Sequence, residues 1–344
     1  MTTVNVNATA AADLGVIGAA KMTTFDASAS TAGVTADVSA ATGNDLAIKG
    51  GEGDDVITFG AAANLTAKDS VDLGAGTNTL RITGTANGTS YNVKNVQTLE
   101  VTTPGTGANA AVNAEAFGAG VSTIGFVSAN NGDSGTVNNL ADGATVAAKD
   151  ATGAVNNRLT ALTINGKNTS GSTDSVTVKL FSNDEGTAST PSVFTVATLT
   201  AGGYENVKLV SEGKANTANV VTNLAATAQK TVTVEGDKKL TVGTTLSATT
   251  VDASASTGGV DLTLAGTAVS GGKQTATGGT GNDTFRIDAG VINKDIKIAG
   301  GEGTDTLVLT KAAPGNIDLT GVTNAELISG VSGFENLSFG GETL

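Results

Sequence analysis

Three stretches of the chain obey one nine-residue rule, and it restricts the backbone more than any other feature of the sequence. They are Gly50-Gly51-Glu52-Gly53-Asp54-Asp55-Val56-Ile57-Thr58, Gly278-Gly279-Thr280-Gly281-Asn282-Asp283-Thr284-Phe285-Arg286 and Gly300-Gly301-Glu302-Gly303-Thr304-Asp305-Thr306-Leu307-Val308. Each fits Gly-Gly-x-Gly-x-Asp-x-apolar-x. The glycines permit positive φ and a tight turn that aims carbonyl oxygens inward. The apolar eighth position then starts a short buried strand. One match carries little weight in a chain with 47 glycines. Three, each feeding a strand-like run, carry much more. The competing reading is an ordinary set of Asp-Gly turns between strands.

Spacing adds to the case. Asp283 and Asp305 are 22 residues apart, and Asp55 and Asn78 are 23 apart. Asn78 sits in Gly74-Ala75-Gly76-Thr77-Asn78-Thr79-Leu80-Arg81, a degenerate copy with Asn for Asp. A turn of roughly twenty residues brings one glycine loop over the previous one, so each pair reads as one coil with its loops stacked on one edge. Lys68-Asp69 and Lys294-Asp295 open the strands on the way round. Gly43-Asn44-Asp45 reads as a further half-loop, with Asp45 ten residues before Asp55.

The unit is duplicated. Thr23-Thr24-Phe25-Asp26-Ala27-Ser28-Ala29-Ser30-Thr31-Ala32-Gly33 recurs as Thr249-Thr250-Val251-Asp252-Ala253-Ser254-Ala255-Ser256-Thr257-Gly258-Gly259. Gly50 then aligns with Gly278, and Asn78 with Asp305. Asp26 and Asp252 read as turn hydrogen-bonders. A closing element appears as Val93-Lys94-Asn95-Val96-Gln97-Thr98-Leu99-Glu100-Val101, as Gly203-Tyr204-Glu205-Asn206-Val207-Lys208-Leu209 and as Gly333-Phe334-Glu335-Asn336-Leu337-Ser338-Phe339. Its Glu-Asn pair is expected to bond the turn backbone.

These motifs together resemble the RTX calcium-binding proteins, and more narrowly the surface-layer proteins that Gram-negative bacteria export by type I secretion. The resemblance covers about two thirds of the chain, at its two ends. It implies Ca²⁺ as the cofactor, a hard cation that takes six to eight oxygens. It assigns Asp55, Asp283 and Asp305 as carboxylate ligands. The carbonyls of Gly50, Glu52, Gly278, Thr280, Gly300 and Glu302 would complete the sites. Asn78 would offer a weaker, neutral oxygen, and Asp45 a further one. It also implies self-association into a two-dimensional lattice or oligomer, a cell-surface polysaccharide as partner, and a secreted, surface-bound location.

Composition narrows the alternatives. With no cysteine and no histidine, disulfides, Cys/His zinc sites and histidine-dependent nucleophiles are excluded. A net charge of −13 argues against nucleic acid, which needs a basic surface. No 18-residue apolar run is present, so no membrane-spanning helix is expected. Met1-Thr2-Thr3-Val4 does not read as a leader. The expectation is export by another route or, preferred, excision from a longer protein. The 39% hydrophobic content is mostly Ala, Val, Leu and Ile beside Thr, which suits thin, pleated layers.

The expected fold is therefore all-β: an elongated parallel β-roll or β-helix over residues 1–103 and again over 231–344. Residues 104–230 lack the nonapeptide, and an antiparallel β-sandwich is the runner-up there. Asn183-Asp184-Glu185-Gly186 in that stretch reads as a solvated acidic loop. The expected function is structural, a calcium-dependent self-assembling piece of a surface layer, and not an enzyme. The alternatives are a stalk or ligand-binding segment of an RTX adhesin, or the calcium-binding tail of a secreted hydrolase.

Overall fold

The computed structural model describes residues 2–41, 43, 45–105, 107–151, 158–183, 192–226, 228–266, 269, 271–311 and 330–340. It is all-β, with 54% strand and 5% helix, and forms a parallel β-solenoid of about 13 turns. The chain divides into one unit of Met1–Ala148 with Leu162–Asn168, and a second of Lys149–Ala161 with Thr169–Leu344.

In the first unit consecutive strands alternate between sheets, which is what winding requires. Thr2–Asn5, Met22–Asp26, Ala47–Lys49, Ser70–Asp72 and Val93–Lys94 pair in parallel in one sheet. The intervening Ala12–Val16, Val34–Asp37, Val56–Ala61, Thr79–Thr83, Thr98–Thr102 and Thr123–Ser128 pair in parallel in another. Period-two alternation sends every second side chain inward. The register then stacks like on like: Ile57 lies opposite Leu80, Leu80 opposite Leu99, and Leu99 opposite Ile124, all buried. Such rows build the core from aliphatic side chains, with Phe25, Phe59 and Phe126 among the largest that are fully buried.

The second unit repeats the rule. Ser175–Ser182, Asn206–Gly213, Thr231–Gly236, Thr250–Ser256, Gln274–Thr277, Ile296–Ala299 and Val331–Ser332 form one parallel sheet. Ser192–Thr200, Thr217–Ala225, Lys239–Leu246, Val260–Leu264, Thr284–Asp288, Thr306–Thr310 and Asn336–Ser338 form the other. Leu262, Phe285 and Leu307 make a buried row that ends at Leu337, which is 56% exposed on the edge strand.

The sandwich reading of the middle is corrected here. Ser175 pairs with Asn206 and Ser192 with Thr217 in parallel ladders, so these strands wind as coils and do not fold back antiparallel. Alternation marks a half-buried strand but not the direction of its neighbour, so the two architectures look alike from the residues. The Ala61-Ala62-Ala63 run makes only a 3-10 turn, Ala62–Asn64, on the side away from the glycine loop. Ala289–Val291 does the same in the second unit. Among the described residues no helix is long and apolar enough to cross a membrane.

Candidate metal centre

The three aspartates of the nonapeptides are the best-buried acids in their loops, each at 1% exposure or less. Each directly precedes a strand, so its side chain turns inward at a corner of the coil. There it meets main-chain amides. Asp55 Oδ1 accepts from the Val34 N–H at 2.7 Å, and Oδ2 from the Gly51 N–H at 3.0 Å. Asp283 repeats this with Val260 at 2.8 Å and Gly279 at 2.7 Å.

The corner bonds connect coil to coil in a row. The Asp55 N–H donates to Asn78 Oδ1 at 2.8 Å, and the Asn78 N–H donates to Gln97 Oε1 at 2.7 Å. In the second unit the Asp283 N–H donates to Asp305 Oδ1 at 2.8 Å, and the Asp305 N–H to Glu335 Oε2 at 2.7 Å. Within each unit the loops thus stack over one another, at the step of 23 residues in the first and 22 in the second read from the sequence. The closing element supplies the last acceptor of each row. Glu205 behaves alike, accepting from the Asp174 N–H at 2.9 Å.

The second oxygen of the acid explains the first glycine of the motif. A Cβ on Gly50 would collide with Asp55 Oδ2 and with the carbonyl of Leu73 in the next coil. On Gly278 it would collide with Asp283 Oδ2 and the Gly300 carbonyl; on Gly300, with Asp305 Oδ2 and the Gly333 carbonyl. Acid oxygen and carbonyl oxygen therefore flank the same missing side chain three times. Gly76, at φ +94°, has the conformation that favours glycine, and its own Cβ would strike the Gly53 carbonyl.

Asp305 departs from the other two. Its Oδ2 is buried and has no hydrogen-bond partner, and Gly301, in the place of Gly51 and Gly279, has φ +109°. Asn78, its counterpart in the first unit, turns its Nδ2 toward three carbonyls, Leu73 at 3.1 Å, Ala75 at 3.2 Å and Asn95 at 2.8 Å. An unpaired buried acceptor costs about 1–3 kcal/mol.

Burial pushes all three carboxyls above the usual aspartate range. For Asp283 the value is about 6, with the Asp305 charge adding to desolvation and the Gly279 and Val260 amides and Lys239 opposing it. Asp55 is raised by burial, against the Val34 and Gly51 amides. Asp305 is raised by burial first, and Glu335 pushes the same way. Among the described residues no three acidic side chains converge on one point.

The remaining assigned residues are placed as follows. Gly50, Gly278 and Gly300 are buried, while Glu52, Thr280 and Glu302 are exposed at the loop tips. Their amides bond backward to the carbonyls of Ser30, Ser256 and Gly279 at 2.9, 2.9 and 2.8 Å. Asp45 is exposed; Asn44 beside it lies outside the described residues, as do Asp184, Glu185 and Gly186. Asp26 and Asp252 accept from the amides of Ser28 and Ser254 at 3.0 Å, as turn residues do, and the Ser28 hydroxyl holds the Asp26 carboxyl below the usual range.

Several corner residues escape a motif search. Asp69, 1% exposed, accepts from the Leu46 N–H and the Thr66 N–H, both at 2.7 Å. Asp133 is buried under the Thr103 hydroxyl and the Asn130 amide. The fifth loop position also links coils: Asp54 Oδ1 accepts from the Thr77 N–H at 2.7 Å, and Asn282 Oδ1 from the Thr304 N–H at 2.9 Å. Asp69 and Asp133 carry as their signal an acid at the opening of an alternating run, and Asp54 and Asn282 stand at the variable fifth position of the nonapeptide. Compared with protein-family models, curated proteins and solved structures, the chain matches none.

Proposed function

We propose that the chain is a structural, non-enzymatic protein: a calcium-locked, self-assembling component of a bacterial surface layer, secreted and held at the cell surface. One observation carries the cation part of this reading. A fully buried carboxylate oxygen, Asp305 Oδ2, stands without a donor where its duplicated counterpart presents an N–H₂ group to carbonyl oxygens.

The donor set fits a hard cation, being oxygen throughout. Asp305 would hold it with the loop carbonyls of Gly300 and Glu302. Asp55 and Asp283, with the carbonyls of Gly50, Glu52, Gly278 and Thr280, would serve the neighbouring loops. Each of their carboxylate oxygens has one amide partner and retains a second lone pair. Bound calcium would supply the compensating charge. The chain's own part is to fix the acids at the corners, exclude water, and couple loop closure to strand stacking. Extracellular modules of this kind bind with Kd of order 10⁻⁴–10⁻³ M, so the lock would close outside the cell and stay open in a calcium-poor cytosol.

Two features support assembly. The edge strand Ala12–Val16 exposes Leu14 and Val16, at 38% and 66%, and exposed strand edges pair readily with other chains. A net charge of −13 makes neighbouring copies repel unless cations intervene. The test is a calcium titration followed by circular dichroism melting and electron microscopy. Millimolar calcium should raise the melting temperature by more than about 10 °C and produce ordered sheets, with EDTA reversing both. An unchanged melt would sink the cation reading, and monomers throughout would sink assembly.

A further inference from the structure

We infer that the last glycine loop of each duplicated unit is closed by a different agent: the side-chain amide of Asn78 in the first unit, a divalent cation at Asp305 in the second. This rests on the cation reading proposed above and specifies which loop depends on the ion.

The argument begins with equivalence. Asn78 and Asp305 occupy the same motif position, six residues into their loops. Both use one oxygen identically, Asn78 Oδ1 taking the Asp55 N–H and Asp305 Oδ1 the Asp283 N–H, each at 2.8 Å. Both are followed directly by a strand, Thr79–Thr83 and Thr306–Thr310. Each also donates its own N–H to the closing residue, Gln97 or Glu335.

They differ in the second terminal atom alone. In Asn78 it is Nδ2, which donates to the carbonyls of Leu73, Ala75 and Asn95. Because Oδ1 must accept from the Asp55 amide, the orientation of this side chain follows from its bonds. Leu73, Ala75 and Asn95 correspond to Gly300, Glu302 and Gly333. In Asp305 the second atom is Oδ2, without a partner, and it shares the space beside Gly300 with the Gly333 carbonyl. Oxygen thus faces oxygen where nitrogen faces oxygen in the first unit. A group of positive charge restores the balance there, and a hard divalent cation has the oxygen preference that this place demands. Asn78 carries the balancing donors in its own side chain, so its loop closes without the ion.

Two substitutions in the full chain exchange the agents. Calcium chloride is titrated calorimetrically, and hydrogen exchange of Thr79–Thr83 and Thr306–Thr310 is followed with calcium and with EDTA. In the unaltered chain, EDTA should accelerate exchange at least tenfold in Thr306–Thr310 and leave Thr79–Thr83 unmoved. Asn78→Asp should add one bound calcium per chain and make Thr79–Thr83 calcium-dependent. Asp305→Asn should remove one calcium and leave Thr306–Thr310 protected in EDTA. If Asn78→Asp does not fold, Asp305→Asn decides alone. A calcium response in the unaltered chain that neither substitution moves would overturn this inference and leave the cation reading intact. No response in the unaltered chain would remove both.

Discussion

The corner row of the first unit runs Asp55, Asn78, Gln97, and that of the second runs Asp283, Asp305, Glu335. One acid and two amides stand in the first; three acids stand in the second. Every member of either row presents one oxygen to the amide of the preceding coil, so both chemistries satisfy the same backbone geometry. The rows part at the atom beside that oxygen. An amide nitrogen finds carbonyls and is content, whereas a carboxylate oxygen gathers negative charge in a place that burial has already made hostile to it. The duplication has kept the hydrogen bond and varied the electrostatics.

Steric removal of the shared geometry should give the largest effect and should not distinguish the units. Gly50→Ala and Gly278→Ala each push a Cβ into a carbonyl of the next coil and into the row's own aspartate. Each should cost at least about 3 kcal/mol in denaturant unfolding. A harmless Gly278→Ala would mean that the second set of loops is not stacked as described.

Removing one acid is expected to act next. Asp55→Ala orphans the Val34 and Gly51 amides, at about 2 kcal/mol in all. Hydrogen exchange should localise that loss to Val34–Asp37 and Val56–Ala61, and global rather than local loosening would count against a corner bond as its cause.

The smallest effect separates the two rows by pH. Asp283 has a folded-state pKa of about 6 against an ordinary 3.8, so the folded chain holds this proton more tightly than the unfolded one. Stability is then gained as pH falls from about 7 toward 4 and lost as it rises through the same window. With divalent ions removed, going from pH 7 to pH 5 should stabilise the second unit by about 1 kcal/mol from this group, as 1.36 kcal/mol per pKa unit implies. Asp305, shifted in the same direction, would add to it, while Asp55 acts in the same sense in the first unit. Melting scans in EDTA that show the opposite slope would remove burial as the dominant influence on these acids.

Much of the solenoid was legible in the residues, and the reasons are local. Glycine pairs mark a turn too tight for side chains, the acid six places on marks the corner, and alternating Val, Ile, Leu and Thr mark a half-buried strand. Even the stacking step at Asp55 and Asn78 could be read, because a full copy of the nonapeptide and a degenerate one lie one coil apart. What escaped depends on contacts between coils of unequal length. Asp305 meets Glu335 across 30 residues and Asp174 meets Glu205 across 31, so no fixed period reveals the acceptors of the closing elements. Asp69 and Asp133 are buried without any glycine motif to announce them. The parallel course of the middle strands was hidden for a related reason: Val176 and Val178 alternate as they would in a sandwich, and only Val207 and Leu209 beside them in register disclose the winding.

The side-chain bonds that link coil to coil along the two corner rows all point one way along the chain: the amide belongs to the earlier coil and the oxygen to the later one. The stack consequently has an arrow. A polypeptide emerging tail first would lay down acceptors ahead of the donors that seek them, each arriving turn finding its seat marked. One emerging head first would leave every new turn waiting for its successor.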